Sequence, residues 1–276
     1  MKKIICPTDF STTANNAVEY AAQLAREINT ALEIVNVQSL SPASPILSGI
    51  EASKYAAPTS ATLKKMCNDI NQTFHIPCSY KVEITSETLD EAIPAESTED
   101  SLIVMGTNGM DDLYQYIFGT NTYHVIKKTK CPVLIIPEGV IYKTIKNITL
   151  PWDYKCNSKS VYFQLKNLFG VFNPEITFLH ISRQEKPVSD NVFRTLKEDV
   201  YSCIGKEEIV LFAQLYSESP KEFANSIDDY MADNKADLLA IAYYDRGKLK
   251  NIFHGTIVKE LSETAQYPLL VSHVAI

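Results

Sequence analysis

The sequence predicts an α/β protein of two tandem domains, each a mostly parallel five-stranded sheet with helices on both faces. Three observations lead there. The chain contains itself twice. Each copy alternates short apolar runs with helical periodicity. The 276 residues are 45% apolar and 21% charged, enough to pack cores in two domains of ordinary size.

The repeat is visible at both ends of each half. The first half opens Lys2-Lys3-Ile4-Ile5-Cys6-Pro7-Thr8-Asp9, and a second opening runs from Lys146 through Leu150-Pro151-Trp152-Asp153. Pro7 and Asp9 match Pro151 and Asp153 at an offset of 144. The first half closes with Gly119-Thr120, a helical stretch and Cys131-Pro132-Val133-Leu134-Ile135-Ile136. The second closes with Gly255-Thr256, a helical stretch and Tyr267-Pro268-Leu269-Leu270-Val271, at an offset of 136. A period this long excludes a solenoid and indicates two similar domains, 1–138 and 139–276.

Within the first copy, Ile4–Pro7 reads as a short buried strand. Ser11 can cap a helix whose apolar residues Ala14, Ala17, Val18, Ala21, Leu24, Ala25 and Ile28 share one face. Leu32–Val37 is a strand. Residues 39–58 contain three prolines and several small residues, so a loop is expected there. A helix then runs to about Phe74, followed by a strand at 79–85 and a short helix near 87–97. Leu102–Met105 is a strand, Thr120–Lys128 a helix and Val133–Ile136 the last strand. The second copy places strands near 146–150, 175–181, 208–215, 237–242 and 269–272.

Composition excludes several classes of function. With 26 basic and 33 acidic residues the net charge is −7, which gives no general attraction to nucleic acid or an anionic membrane. No apolar run reaches the ~18 residues of a spanning helix. The apolar part of the start is too short for a signal peptide. These features point to a soluble, cytoplasmic protein. The six cysteines are dispersed without a CxxC pair, so reduced and mostly buried thiols are expected. The histidines show no ligand spacing. No GxxxxGK[ST], HExxH or GxSxG occurs.

One constellation remains. Gly106-Thr107-Asn108-Gly109 follows the fourth strand, and Gly119-Thr120-Asn121-Thr122 opens the last helix of the first copy. Glycines let backbone N–H groups approach a ligand. A helix N-terminus adds free N–H groups and a favourable dipole end. Together these make an anion site, with hydroxyls from Thr120 and Thr122. A turn glycine and an ordinary threonine cap would account for either half alone.

The spacing Gly106-x2-Gly109-x9-Gly119-Thr120 resembles the ATP-binding signature of the universal stress protein family. The opening Pro7-Thr8-Asp9-Phe10-Ser11 and the closing Cys131–Ile136 are similar to that family's first and last strands. The resemblance covers nearly the whole chain and implies two Rossmann-like, adenine nucleotide alpha hydrolase-like domains. It implies that Gly106, Asn108, Gly109, Gly119, Thr120, Asn121 and Thr122 surround the ribose and phosphates of ATP. Pro7, Thr8, Asp9 and Val37 would flank adenine and ribose, Met105 would line the wall, and Mg²⁺ would share the phosphate charge. Asp9 also fits a purely local role, as a helix-end carboxylate beside Ser11.

The second copy departs from the signature. Ala242 and Asp245 stand in place of Gly106 and Gly109, so one ATP per chain is expected, in the first domain. The leading function is a stress-response module that binds adenine nucleotide and passes its state to protein partners. The alternative is a nucleotide-independent scaffold. A dedicated enzyme ranks last. No catalytic base stands beside the phosphate loop, and the SGGxDS loop of the related ATP pyrophosphatases is replaced by Pro7-Thr8-Asp9-Phe10-Ser11. Slow ATP hydrolysis is the most that is expected. The family also implies pairing through last strands, so 132–137 and 268–273 are expected side by side in an intramolecular pseudo-dimer. Homodimerisation is left open.

Overall fold

The computed structural model describes residues 3–44, 46, 50–107, 120–152, 158–182, 190–205, 208, 210–216, 220–243 and 266–273. The chain divides into two compact units. The first contains β1 (Lys3–Pro7), α1 (Thr12–Glu27), β2 (Ala31–Ser39), α2 (Ile50–Phe74), β3 (Cys78–Thr85), α3 (Leu89–Glu96), β4 (Ser101–Thr107), α4 (Thr120–Lys128) and β5 (Val133–Pro137). Its strands are ordered β3-β2-β1-β4-β5, and the neighbours run parallel.

The second unit contains β6 (Asn147–Trp152), α5 (Ser158–Phe169), β7 (Glu175–Ser182), α6 (Asp190–Ile204), β8 (Leu211–Tyr216), α7 (Pro220–Asp233), β9 (Leu238–Tyr243) and β10 (Leu269–His273). Its order is β8-β7-β6-β9-β10, again parallel. Numbered within its own unit, each sheet therefore reads 3-2-1-4-5.

Strand registers repeat as well. Ile4 faces Leu32 in the first unit, and Ile148 faces Ile176 in the second, both shifted by 144. Ile103 faces Val133, and Leu239 faces Leu269, both shifted by 136. Even the hydrogen bond at the start of the last strand recurs. Ile103 N donates to Pro132 O and Leu239 N to Pro268 O, each at 3.1 Å.

The helix periodicity explains how α1 docks. Ser11 caps it, its Oγ accepting from Ala14 N at 3.2 Å. Ala17, Val18, Ala21, Leu24 and Ala25 are fully or almost fully buried, as the spacing requires. Tyr20 joins them, edge-on to Tyr142 at 5.0 Å, and the Tyr142 hydroxyl donates to Glu27 at 2.8 Å. Lys128 reaches back from α4 to Asp90 on α3 at 2.6 Å. In a right-handed crossover fold, the step from β1 out to β3 puts α1 and α2 on one face. The return through β4 to β5 puts α3 and α4 on the other.

One expectation is corrected. The loop expected over 39–58 ends earlier, because α2 begins at Ile50 and contains Pro58. Ala52, Ala56 and Ala57 are strong helix formers, and this part of the helix is mostly exposed. Proline removes one helical hydrogen bond there but disturbs no packed surface. The buried stripe starts only at Leu63 and continues through Cys67 and Ile70.

Candidate functional site at the carboxyl ends of β1 and β4

The chain moves outward from β1 to β3 and then returns to β4 and β5. The winding direction therefore reverses between β1 and β4. At such a point the connections leave to opposite faces and open a crevice at the strands' carboxyl ends. The residues at those ends form the candidate site.

The turn after β1 is held by several short bonds. Thr8 is buried, and its N–H donates to Val35 O at 2.9 Å. Its carbonyl accepts from Asn36 Nδ2 at 2.7 Å. Its hydroxyl accepts from Phe10 N at 3.0 Å. Asp9 Oδ1 accepts from Ser11 N at 3.0 Å, and Phe10 O accepts from Asn15 Nδ2 at 3.1 Å. Phe10 sits in the left-handed region at φ 67°. A bulky residue there costs about 1–3 kcal/mol and persists only where its surroundings enforce it.

Burial of the Asp9 carboxyl favours its neutral form. Hydrogen bonds from Ser11 outweigh that and hold the group below its ordinary value. The local role considered for Asp9 is thus occupied in the structure.

Across the crevice, Met105 and Thr107 are buried on β4 with Gly106 between them. A Cβ built on Gly106 would lie 2.6 Å from the Thr13 carbonyl oxygen of α1. Gly106 is therefore required by close helix–sheet approach, whatever else it does. The α1 helix is further tied to the exit of β5, since Asn16 Nδ2 donates to Pro137 O and Val140 O at 3.3 and 3.2 Å.

Among the described residues, buried polar atoms of this rim have no partner: Asn36 Oδ1 and Gln38 Oε1 on β2 and Thr107 Oγ1 on β4. Leaving such groups unpaired costs about 1–3 kcal/mol each, so a bound molecule able to pair with them would relieve that cost. Thr107 belongs to the glycine motif singled out in the sequence, whereas Asn36 does not. The available signal was a single Asn in the run Ile34-Val35-Asn36-Val37, close to the strand's carboxyl end.

The remaining expected site residues fall as follows. Pro7 ends β1, Val37 lies half-buried near the end of β2, and Thr122 is buried in the first turn of α4. Thr120 begins α4, whose first turn carries no acidic residue and whose last carries Lys127 and Lys128. Both features suit a helix with its positive dipole end toward an anion. Asn108, Gly109 and Gly119 lie outside the described residues, as do the side chains of Thr120 and Asn121. Among the described residues no cluster of His, Cys, Asp or Glu could hold a metal ion. No described helix is long and apolar enough to cross a membrane.

A crevice at the switch point of a doubly wound parallel sheet defines a Rossmann-like α/β domain, and the chain carries that fold twice. Comparison with known proteins narrows the class. The universal stress protein family model matches residues 1–137. A universal stress protein of Methanocaldococcus jannaschii is 30% identical over 145 residues, which is 50% of this chain and 82% of that protein. The chain belongs to the universal stress protein family. A universal stress protein from Archaeoglobus fulgidus shares the fold over 98% of both chains, with a TM-score of 0.75 at 17% identity. A universal stress protein solved in complex with cAMP matches 50% of this chain and 98% of its own, at 21% identity and a TM-score of 0.38.

Proposed function

We propose that the first unit binds one adenine nucleotide, ATP with Mg²⁺, and that the protein is a nucleotide-responsive regulatory module rather than a dedicated enzyme. The observation that carries this is the pair of orphaned buried atoms, Asn36 Oδ1 and Thr107 Oγ1, at the ends of strands flanking β1. A carboxamide oxygen suits an amino donor, and a hydroxyl suits either partner type. The strained Phe10 turn sits beside them. Gly109, Gly119, Thr120 and Asn121 would hold the phosphates, and Pro7, Asp9, Val37 and Met105 the nucleoside. Mg²⁺ would neutralise phosphate charge. In this reading 139–276 is a degenerate copy that binds no ATP, because Asp245 replaces Gly109 and brings a carboxylate toward the phosphates.

A second reading has its own observation. Gly106 is fully accounted for by its contact with Thr13, so part of the signature follows from packing alone. This supports a nucleotide-independent scaffold that acts through protein partners. Titration of the purified chain with ATP and Mg²⁺ separates the two readings. We expect about one equivalent bound, lost in Gly109→Asp with the circular dichroism melt unchanged. Two equivalents, or unchanged binding in Gly109→Asp, would overturn the proposal. No binding at all would favour the scaffold.

A further inference from the structure

We propose that Cys67 and Cys78 form a site of reversible oxidation, closing to an intramolecular disulfide when the protein meets a hydroperoxide. Cys67 lies on the buried face of α2, and Cys78 is the first residue of the edge strand β3. Their sulfurs are 2.9 Å apart, with the Cys78 thiol donating to Cys67 Sγ. A covalent S–S bond is about 2.05 Å, which leaves about 0.9 Å of closure. Cys67 is 5% exposed, whereas Cys78 is partly open to solvent, so a small oxidant has a route to the pair.

The other described cysteines offer no such geometry. Cys6 is fully buried, Cys131 shares a hydrogen bond with Thr129, and Cys203 is exposed on α6.

The environment divides the two roles. The hydrogen bond from Cys78 favours the Cys67 thiolate and outweighs burial, so Cys67 ionises more readily than an ordinary thiol. Cys78 is pushed the other way, first by donating that bond and then by burial.

The step balances with the hydroperoxide as sole oxidant. Cys67 S⁻ attacks the distal peroxide oxygen. The O–O bond breaks, the remaining oxygen leaves as alkoxide or hydroxide and takes up a proton, and Cys67 becomes a sulfenic acid. Cys78 sulfur then attacks Cys67 Sγ. The S–S bond forms, the S–O bond breaks, and the hydroxide leaves as water with the Cys78 proton. The pair loses two electrons, and the peroxide is reduced. The new bond would pin α2 to β3. It is also continuous with the candidate site, because Thr59 on α2 accepts from Gln38 on β2 at 2.7 Å.

The sequence supplies a convenient test. Cleavage after Lys65 and Lys81 releases one tryptic peptide, Met66–Lys81, containing both cysteines. The full-length protein is treated with hydrogen peroxide, unfolded, alkylated with N-ethylmaleimide and digested without reductant. We expect this peptide unalkylated and lighter by two hydrogens, with two alkyl groups restored if dithiothreitol precedes alkylation. The Cys203 peptide should stay alkylated. In Cys78→Ser no two-hydrogen loss should appear. The loss should also be at least about tenfold faster in the folded chain than in urea, because the fold holds the sulfurs together. A doubly alkylated peptide at peroxide levels that oxidise Cys203 would overturn the proposal, and so would equal rates in folded and unfolded chains.

Discussion

The first helix of the first unit and its counterpart in the second bury the same five positions, four of them with different side chains. In α1 they are Ala17, Val18, Ala21, Leu24 and Ala25, and in α5 they are Val161, Tyr162, Leu165, Leu168 and Phe169. Each pair is separated by 144 residues; four of the five α5 residues are larger than their partners and the fifth is identical, while the buried Tyr20 of α1 is matched by Gln164 in α5. The helix partner in the sheet changes in step. Gly106 in β4, which has no room for a Cβ beneath Thr13, becomes Ala242 in β9. Thr107 opposite Pro137 becomes Tyr243 opposite His273, with their rings 5.0 Å apart. Around the α5 face, Tyr162, Phe178, Phe212 and Tyr201 form a chain of ring contacts. One backbone plan thus supports two cores. In one copy the small residues of α1 lie close on a glycine; buried unpaired polar atoms occur on the strands of both copies, Asn36 Oδ1 and Thr107 Oγ1 in the first and Gln214 Nε2 and Ser272 Oγ in the second. The other copy has aromatic bulk in the matching helix and at the end of its fourth strand.

The comparison can be broken most strongly in the second unit. Phe169→Ala writes the first unit's Ala25 into α5, where nothing moves in to replace the fully buried ring. Phenylalanine-to-alanine changes in cores cost about 3–5 kcal/mol. Trp152, the only tryptophan, lies at the end of β6 and reports on that unit. Its fluorescence midpoint in urea should fall by the amount that cost implies. An unchanged midpoint would show that the aromatic cluster repacks and that bulk is not what supports the second core.

The reciprocal change is smaller. Gly106→Ala writes Ala242 into β4 and drives a methyl group to 2.6 Å from the Thr13 carbonyl. Overpacking of this kind costs about 1–3 kcal/mol. The loss should appear in far-ultraviolet circular dichroism and spare the Trp152 signal. If both signals moved together, the units would unfold as one, and the assignment of separate cores would need revision.

These contrasts also mark what the sequence could and could not disclose. The buried face of α1 follows from the 3.6-residue period, and the parallel sheet of each unit follows from alternating strands and helices, whereas the strand order is visible only in the structure. The start of α2 was misplaced because Pro58 is a strong breaker signal, while the exposure that lets a helix tolerate it is a tertiary fact. The sequence leaves Gly106 open to a ligand-approach role and a backbone role, and the structure adds a packing role. Its contact with Thr13 depends on how far α1 sinks toward the sheet, and no local pattern encodes that depth. The left-handed Phe10 is equally silent in sequence, since it depends on the bonds that Thr8, Asp9 and Asn15 make in the turn. Cys67 and Cys78 meet because a helix docks on an edge strand, so their spacing alone predicted nothing.

The smallest expected effect sharpens the comparison at the turn after β1. Asp9 is held below its ordinary carboxyl value by hydrogen bonds from Ser11, against the opposing pull of burial. The unfolded chain, with an aspartate near 3.9, therefore takes up a proton more readily than the folded one. The contribution is fully present above that value and is lost as pH falls through the lower folded value. Between neutrality and about pH 5 the stability of the first unit should not depend on this group, and below about pH 4 it should decline. Asp9→Asn keeps an oxygen that can accept from Ser11 N but removes the titration. The variant should leave the circular dichroism midpoint near its wild-type value at neutral pH and flatten its fall in acid. The second unit carries a different acid-sensitive contact. Glu208 is held low first by the Tyr162 hydroxyl, with Lys166 adding to the effect. The acid response of Trp152 fluorescence should therefore be the same in Asp9→Asn as in the wild type. An unchanged acid slope in both signals would show that the neutral carboxyl serves the turn as well as the charged one, and that Asp9 shapes the loop without its charge.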